Sequence, residues 1–323
     1  MLWAFGLAGL ELGIMANVVV TGGAGFIGSH LCKNLLEEGN KVICVDSFVT
    51  GQKKNVEDLL ENKSFSLVEH DITKPLKLSE PVDRIYNLAS PASPKDFSRI
   101  PVEIMLTNSS GLKNMLDFAL EKNARILQAS TSEVYGNPLE HPQKETYFGN
   151  VNPVGERSCY DESKRFAEAL IMSYGRKTRL DYRIVRIFNT YGPGMRPDDG
   201  RVVPSFICSA LENKPLTVFG KGEQTRSFCF VSDLVDGIVK LMESGYKKPV
   251  NIGNPNEMTI LELAELVKKL SGSKSEISFK PILEDDPERR KPDISVAKKE
   301  LKWEPKVDVQ DGLKRTIEWF RGL

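Results

Sequence analysis

The sequence predicts an α/β fold, with a doubly wound parallel sheet and a smaller C-terminal α/β lobe. Three observations support this prediction. Short β-branched runs alternate with segments of helical spacing over residues 15–190, a glycine-rich turn joins the first strand to the first helix, and shorter mixed elements fill residues 191–323. Strands that alternate with helices along a chain form parallel sheets with helices on both faces. Residues 1–14 precede this pattern as an apolar N-terminal extension, to which we assign no role.

Local signals define the first elements of the sheet. The first strand, Asn17–Val20, is a β-branched run that ends in glycines. In Phe26–Glu38 apolar residues recur at helical spacing, and Gly39 follows directly as a helix stop. Lys41–Asp46 is predicted to be a second buried strand. Further strands are expected at Ser66–Glu69, Arg84–Leu88, Arg125–Ala129 and Tyr182–Ile187, and further helices at Pro101–Glu121 and Tyr160–Tyr174.

Composition excludes several classes of protein. The 323 residues hold 44 Lys+Arg against 44 Asp+Glu, a net charge of zero that argues against binding nucleic acid through a basic surface. With 40% hydrophobic and 27% charged residues the chain is ordinary for a globular protein, and no apolar run reaches the roughly 20 residues of a membrane span. The three His and five Cys lack the spacing of a zinc site. A reducing, cytoplasmic setting and no metal are therefore expected.

The glycine-rich turn from Thr21 to Gly28 contains a G-x-G-x-x-G pattern. It follows a predicted strand and opens a predicted helix, which is the context in which glycines let a pyrophosphate approach a helix N-terminus. Asp46 ends the next strand, where a carboxylate can bind an adenosine ribose and repel a 2′-phosphate. These residues favour NAD over NADP. The alternative is a strand–helix turn that needs small residues only for packing.

Tyr160 and Lys164 are a candidate catalytic pair. Their i, i+4 spacing places both on one face of a helix, and no other tyrosine has a lysine four residues later. A phenol with a pKa near ~10 is a weak base at neutral pH, but a nearby ammonium stabilises the phenolate. By itself the pair is more typical of a surface contact than of a catalytic site. Together with the dinucleotide pattern it favours a proton-transfer role.

The run from Ser130 to Gly136 follows a predicted strand and contains Thr131 and Glu133. Open α/β sheets bind ligands at the carboxyl ends of their strands. Hydroxyl and carboxylate groups at this place suit contact with a polyhydroxylated substrate, although the same residues also form helix caps and turns.

Two arginines could bind an anionic group. Arg226 lies in the run Gln224–Phe228, and Arg290 lies beside Arg289 in a charged run. A guanidinium suits bidentate binding of phosphate or carboxylate, but an isolated arginine is more often a solvated surface residue. Spacing alone does not select which of Arg289 and Arg290 points inward.

Taken together, these motifs resemble the extended short-chain dehydrogenase/reductases that act on nucleotide sugars, and within them the UDP-glucuronate decarboxylase group. The resemblance runs from about Asn17 to the C-terminus. Besides the motifs above, the segments that carry it are 88–94, 152–162, 186–193 and 199–203. Two positions depart from the group: Ser163 replaces a common glycine, and Gly194-Met195-Arg196 stands where Arg-Met-His is frequent.

The resemblance implies a Rossmann-type NAD domain over mainly residues 15–190 and a nucleotide-sugar lobe over mainly 191–323, with the chain crossing between them. Residues 25–27 would touch the pyrophosphate, Asp46 the ribose, and Asp71 and Ile72 the adenine. The full set expected around NAD is Gly22, Gly25, Phe26, Ile27, Gly28, Asp46, Ser47, Thr50, Gly51, Asp71, Ile72, Leu88, Ala89, Thr107, Ala129, Tyr160, Lys164, Thr190 and Arg201. Ser90, Asn114, Asn189, Arg226 and Arg290 would bind the UDP-sugar, and Tyr160, Lys164, Thr131, Glu133 and Arg290 would be catalytic.

The implied reaction is NAD-dependent decarboxylation of UDP-glucuronate to UDP-xylose. Tyr160 would remove the C4 hydroxyl proton as hydride leaves C4, giving a 4-keto sugar that is a β-keto acid with respect to the C6 carboxylate. Loss of carbon dioxide leaves an enolate, which is protonated at C5 before hydride returns to C4, so the net redox change is zero. Glu133 would orient the sugar or a water, with Arg290 nearby to balance its charge.

Three alternatives stay open from the sequence. A dTDP-glucose 4,6-dehydratase would share the oxidation, but that group has Asp-Glu where this chain has Ser132-Glu133. A nucleotide-sugar 4-epimerase usually lacks a carboxylate at the position of Glu133. A non-catalytic NAD-sensing regulator would commonly lose the Tyr160 and Lys164 pair. The resemblance further implies a homodimer, with Pro101–Glu121 and Tyr160–Tyr174 as the pairing helices.

Overall fold

A seven-stranded parallel sheet forms the centre of the computed structural model, which describes residues 15–281 and 287–323. The extension over residues 1–14 lies outside the described residues. The strands are β1 Asn17–Thr21, β2 Lys41–Asp46, β3 Phe65–Glu69, β4 Arg84–Asn87, β5 Arg125–Thr131, β6 Tyr182–Ile187, β7 Thr190–Tyr191, β8 Leu216–Phe219, β9 Thr225–Ser227, β10 Cys229–Phe230, β11 Val250–Ile252, β12 Glu257–Thr259, β13 Ile277–Lys280 and β14 Arg289–Arg290. The helices are α1 Phe26–Glu37, α2 Pro94–Arg99, α3 Pro101–Leu106, α4 Leu112–Lys122, α5 Ser158–Lys177, α6 Val202–Leu211, α7 Val231–Glu243, α8 Ile260–Ser271, α9 Ser295–Leu301 and α10 Val309–Arg321.

The order of the strands in the sheet is β3-β2-β1-β4-β5-β6-β11, and all neighbours are parallel. The chain runs outward from β1 through β2 to β3 and then returns to the other side of β1 with β4. This reversal leaves a crevice at the carboxyl ends of β1 and β4, where open α/β sheets bind ligands. The prediction of a doubly wound α/β sheet is confirmed.

Apolar residues cover both faces of the sheet because successive strand residues point to opposite sides. On β1, Val18 and Val20 belong to the core that includes α1, α7 and the C-terminal lobe, whereas Val19 belongs to the core beneath α4 and α5. All three valines have no exposed surface. A strand that is buried on both faces cannot show polar–apolar alternation, which is why β1 is a continuous β-branched run.

The helix predicted over Pro101–Glu121 is interrupted in the structure. A π-helical turn at Thr107–Gly111 separates α3 from α4. The hydroxyl of Ser109 donates to the Met105 carbonyl at 2.6 Å, and neighbouring hydroxyls make similar bonds one turn back. Side-chain bonds of this kind compete with the backbone ladder and bend helices. The prediction missed the interruption because helical spacing continues through it.

The smaller lobe contains α6, α8 and α10 with short two- and three-stranded sheets. One strand from this part of the sequence, β11, pairs with β6 and completes the large sheet. The division of the chain near residue 190 into two lobes stays a prediction. Among the described helices, none combines the length and hydropathy needed to cross a bilayer.

Candidate active site

One cavity of about 1070 Å³ lies at the carboxyl ends of the central strands and extends to the smaller lobe. Its wall runs from the glycine turn after β1 to Arg226 on β9 and to Pro287. It brings together almost all of the residues predicted to bind cofactor or substrate; the exceptions are Asn114 and Arg290. Residues as distant in sequence as Gly22 and Pro287, 265 positions apart, therefore share one site.

Close packing of the glycine turn fits a dinucleotide. A Cβ on Gly28 would lie 2.1 Å from the Gly22 carbonyl oxygen, so a side chain there is sterically excluded. Gly22 itself has a φ of +68°, the left-handed region that favours glycine. Helix α1 begins just after Gly25 without a side-chain cap, so backbone N–H groups at its first turn face the cavity end of the sheet. Such a turn is suited to hold a pyrophosphate.

Asp46, at the end of β2, is hydrogen-bonded to the glycine turn. One carboxylate oxygen accepts from the backbone N–H of Ala24 at 3.0 Å, and the other accepts from the N–H of Phe48 at 2.8 Å. Burial raises the pKa of Asp46, and these two N–H groups oppose the rise. A Cβ added to Gly51 would lie 2.6 Å from the carboxylate, so Gly51 keeps open the space beside it. The arrangement fits the predicted role of Asp46 toward an adenosine ribose.

Tyr160, in the first turn of α5, has its ring buried in the cavity wall, with 7% of the residue exposed. The ring stacks on Phe97 with 5.2 Å between centroids and an angle of 18° between planes. Burial raises the pKa of Tyr160 to about 12, although a hydrogen bond with the Thr131 hydroxyl and the guanidinium of Arg201 favour the phenolate. The sequence led us to expect a pKa lowered by Lys164, but loss of solvation dominates and the groups that oppose it are Thr131 and Arg201.

Lys164 lies one turn after Tyr160 on the same face of α5, as predicted. Its Nζ is 5.7 Å from the centroid of the Tyr160 ring and donates to the carbonyl of Ala129 at 2.9 Å. Burial lowers the pKa of Lys164 to about 7, with Glu168 opposing the change. Near neutral pH this amine can therefore gain or lose a proton, which a surface lysine does not do.

Thr131 ends β5 and caps the short 3₁₀ helix Ser132–Tyr135, accepting from the backbone N–H of Glu133. The helix cap that the sequence offered as an alternative role is thus present. Thr131 also lines the cavity, so the cap does not exclude contact with a substrate. The cap turns the Glu133 side chain toward a cluster of arginines. Glu133 Oε2 lies 2.6 Å from Arg157 Nη2 and 3.2 Å from Arg290 Nη2.

Arginines control the charge of Glu133. Burial alone would raise its pKa, but the guanidinium groups of Arg290, Arg157 and Arg226 together lower the pKa to about 2. The carboxylate therefore stays ionised throughout the physiological range. Asp161, beside this cluster, behaves in the opposite way: burial and the Glu133 charge raise its pKa to about 7.

Two predicted site residues lie behind the wall. Arg290 is 1% exposed; its Nη1 donates to the Ser132 carbonyl and its Nη2 faces Glu133, so it reaches the cavity through Glu133. The structure selects Arg290 over the exposed Arg289 as the inward arginine. Asn114 lies on α4, where its amide donates to the Ile72 carbonyl at 2.9 Å. It supports the expected adenine end of the wall, at a different place from the expected contact with UDP.

Sequence reasoning assigned no role to Arg157, although Arg157 lines the cavity and binds Glu133. A signal was present, because Arg157 and Asp161 have the i, i+4 spacing of a helical ion pair. Phe97, which stacks on Tyr160, gave no comparable signal. Within residues 15–281 and 287–323 there is no group of three or more His, Cys, Asp or Glu arranged to hold a metal ion.

Comparison with known proteins places these observations in a family. The model of the family described as "NAD dependent epimerase/dehydratase family" matches residues 18–253. UDP-glucuronic acid decarboxylase 1 of Arabidopsis thaliana is 55% identical over 305 residues, covering 94% of this chain and 70% of that protein.

Solved structures share the fold at lower identity. UDP-glucuronic acid 4-epimerase from Bacillus cereus, in complex with UDP-glucuronic acid and NAD, has a TM-score of 0.87 and 29% identity, covering 95% of this chain and 99% of that one. A dTDP-glucose 4,6-dehydratase from Streptomyces venezuelae, with NAD bound, has a TM-score of 0.88 and 28% identity, covering 95% and 97%. Fold similarity therefore spans several reactions, whereas sequence identity is much higher with the decarboxylase.

Proposed function

The chain belongs to the NAD-dependent epimerase/dehydratase family, and from this premise we propose that it decarboxylates UDP-glucuronate to UDP-xylose with NAD as its cofactor. The observation that carries the proposal is the 55% identity with a UDP-glucuronic acid decarboxylase over 94% of the chain. The cavity supports it, since its wall contains an ionised Glu133 that is paired with Arg157 and Arg290, a buried tyrosine and lysine, and the glycine turn.

NAD would be held by the glycine turn, by Asp46 and by Lys164. When bound, it supplies the redox chemistry, accepting hydride from C4 of the sugar and returning hydride to C4 at the end of the cycle. The close approach allowed by Gly28 and the first turn of α1 fit its pyrophosphate.

Tyr160 is the group placed to take the C4 hydroxyl proton at its Oη. Its hydrogen bond with Thr131 fixes the direction of the hydroxyl, and Arg201 favours the phenolate. Lys164, with a pKa near 7, can supply or accept a proton beside it. These contacts let a tyrosine with a raised pKa exchange a proton within a buried site.

With a ketone at C4, the substrate is a β-keto acid. The C5–C6 bond electrons move into the C4 carbonyl as carbon dioxide leaves, and the resulting enolate takes a proton at C5. Glu133 is held ionised by its arginines and orients the sugar or a water, while the surrounding guanidinium groups stabilise the developing enolate charge.

Direct assay tests this function. Purified protein is incubated with UDP-glucuronate while carbon dioxide and UDP-pentose are measured, and chromatography separates UDP-xylose from a UDP-4-keto-pentose. We expect both carbon dioxide and UDP-xylose, with little turnover of UDP-glucose because it has no C6 carboxylate to lose. Efficient dehydration or C4 epimerisation of a neutral nucleotide sugar, without carbon dioxide from UDP-glucuronate, would overturn the proposal.

We also propose that the protein is a cytoplasmic homodimer. The five cysteines are free thiols in the structure, which suits a reducing compartment. Helices α3 and α5 expose large apolar side chains that a second copy could cover: Val102, Met105, Leu106 and Phe166. Light scattering of the purified protein measures the assembly, and a monomer would contradict this part of the proposal.

A further inference from the structure

Two arginines hold the same oxygen of Glu133, but they differ in their access to the cavity. Arg290 is almost fully buried, with 1% of its side chain exposed, and lies behind Glu133. Arg157 lines the cavity and leaves 22% of its side chain exposed. A substrate in the cavity can therefore contact the guanidinium of Arg157 directly. Arg290 can affect the substrate only through its contact with Glu133.

The position of Arg157 is fixed relative to the proposed base. Its guanidinium lies over the ring of Phe97 at 5.6 Å, and Phe97 stacks on the ring of Tyr160 at 5.2 Å. If Tyr160 meets the C4 hydroxyl, the carboxylate carbon C6 is only two bonds from C4, attached to the sugar ring at C5. The group that binds the C6 carboxylate must therefore lie near Tyr160, and Arg157 lines the same cavity and is linked to Tyr160 through Phe97.

Arg157 lies among other positively charged groups. Arg290, Arg157 and Arg226 all act on Glu133, and together they keep its carboxylate ionised. Asp161 Oδ2 is 3.8 Å from Arg157 Nε, but its raised pKa, about 7, leaves it largely protonated below neutral pH. Glu162 on α5 and Arg290 on β14 also act on Asp161. Arg157 therefore lies beside further guanidinium groups, whose electrostatic field attracts an anion such as a substrate carboxylate.

We infer that Arg157 recognises the C6 carboxylate and so sets the preference for an acidic over a neutral nucleotide sugar, with Arg290 positioning Glu133 from behind. The inference rests on the proposed function, because it names the side chain that binds the carboxylate of the acidic substrate. A planar guanidinium can bind a carboxylate through two parallel hydrogen bonds, which makes this interaction selective as well as strong.

Binding measurements separate this role from catalysis. In a Tyr160→Phe background, where turnover is blocked, dissociation constants are measured for UDP-glucuronate, UDP-glucose and UDP by titration calorimetry. Adding Arg157→Met should weaken the binding of UDP-glucuronate by about 10- to 100-fold, the usual effect of losing a charge-assisted hydrogen bond. The dissociation constants of UDP-glucose and UDP should change little. Arg157→Lys keeps the positive charge but lacks the paired N–H donors of a guanidinium, so it should recover part of the lost affinity.

Arg84→Met is a matched control, because it removes an arginine–glutamate contact of 2.9 Å, to Glu243, on the opposite side of the fold from the cavity wall. It should leave all three constants unchanged. The inference is overturned if Arg157→Met weakens the binding of all three compounds equally, which would make Arg157 a structural support. It is also overturned if the binding of UDP-glucuronate is unaffected. Failure of the proposed function gives a different pattern, since the parent protein would then release no carbon dioxide and show no preference for the acidic sugar.

Discussion

The two ends of the cavity are built by different physical means. The glycine turn uses backbone atoms and the absence of side chains, and its partner Asp46 lies 22 positions beyond Ala24 in sequence. The charged cluster around Glu133 uses buried ions, and Arg290 reaches it from 157 positions away. Steric fit does not depend on protonation. The free energy of a buried charge, in contrast, depends on every neighbouring group that compensates it.

This difference predicts how each end fails. A side chain added to the glycine turn should disturb cofactor binding at any pH. Removal of one arginine from the charged cluster should leave a carboxylate without enough compensation and change turnover more than cofactor binding. Tyr160 and Lys164 line the same cavity as both ends, so they provide a sharp test of where chemistry occurs.

The largest effect is expected from Tyr160→Phe. The change removes the hydroxyl that takes the C4 proton but keeps the ring that stacks on Phe97. Turnover of UDP-glucuronate should fall by about 10²–10⁴-fold, with affinity for UDP-sugar largely intact. Steady-state kinetics and calorimetry measure the two quantities. Near-normal turnover by a correctly folded variant would remove Tyr160 from the proposed mechanism.

A loss of about 100-fold in turnover is expected from Arg290→Ala and from Glu133→Gln, the usual loss for a positioned charged group. NAD content should stay unchanged in both, because neither residue belongs to the glycine turn. The two variants should differ in stability: Arg290→Ala leaves the Glu133 charge buried with fewer partners, which lowers the free energy of unfolding.

Urea unfolding of the double variant sharpens this prediction. Combining Glu133→Gln with Arg290→Ala removes the unpaired charge, so stability should partly recover while activity stays low. Additive losses in the double variant would mean that the two side chains act independently, which contradicts the assigned pairing.

A smaller but specific effect is expected from Gly28→Ala. The added Cβ would lie 2.1 Å from a backbone carbonyl that cannot move like a side chain. Crowding of this kind costs about 1–3 kcal/mol, so NAD affinity should fall by about 10- to 100-fold, equally at pH 6 and pH 8. Gly245→Ala is the control, because a Cβ there meets nothing within 4 Å. Normal NAD binding by Gly28→Ala would show that the turn tolerates a side chain.

A separate effect, on stability and not on turnover, is a dependence of the free energy of unfolding on pH due to Lys164. Its pKa is about 7 in the folded protein, against 10.5 for an ordinary lysine. Between these values the unfolded chain binds more protons, so the free energy of unfolding should rise with pH from 7 toward 10.5. Lys164→Met should reduce this rise in urea unfolding at pH 7 and pH 9.5. Equal slopes in both proteins would show that Lys164 is not desolvated as the structure indicates.

Local patterns in the sequence were enough to predict the glycine turn and the place of Asp46 beside it, where we expect NAD to bind. The strand Asn17–Thr21, the turn to Gly28 and Asp46 are close in sequence, so their geometry follows from a few residues and from backbone sterics. The i, i+4 spacing of Tyr160 and Lys164 likewise placed both on one face of α5, as the structure has them. The interrupted helix at Thr107–Gly111 escaped prediction because back-bonding hydroxyls change the helix without changing its apolar spacing.

By itself the sequence determined the doubly wound sheet, the dinucleotide turn and the family, because each follows from short-range spacing or from several motifs in order. Only the tertiary structure decided the charge at the sugar end. It placed Arg290 behind Glu133, brought Arg157 to the cavity wall and moved Asn114 away from the expected UDP contact. The state of a buried ion depends on which groups surround it in three dimensions, and those groups come from segments that sequence spacing does not relate.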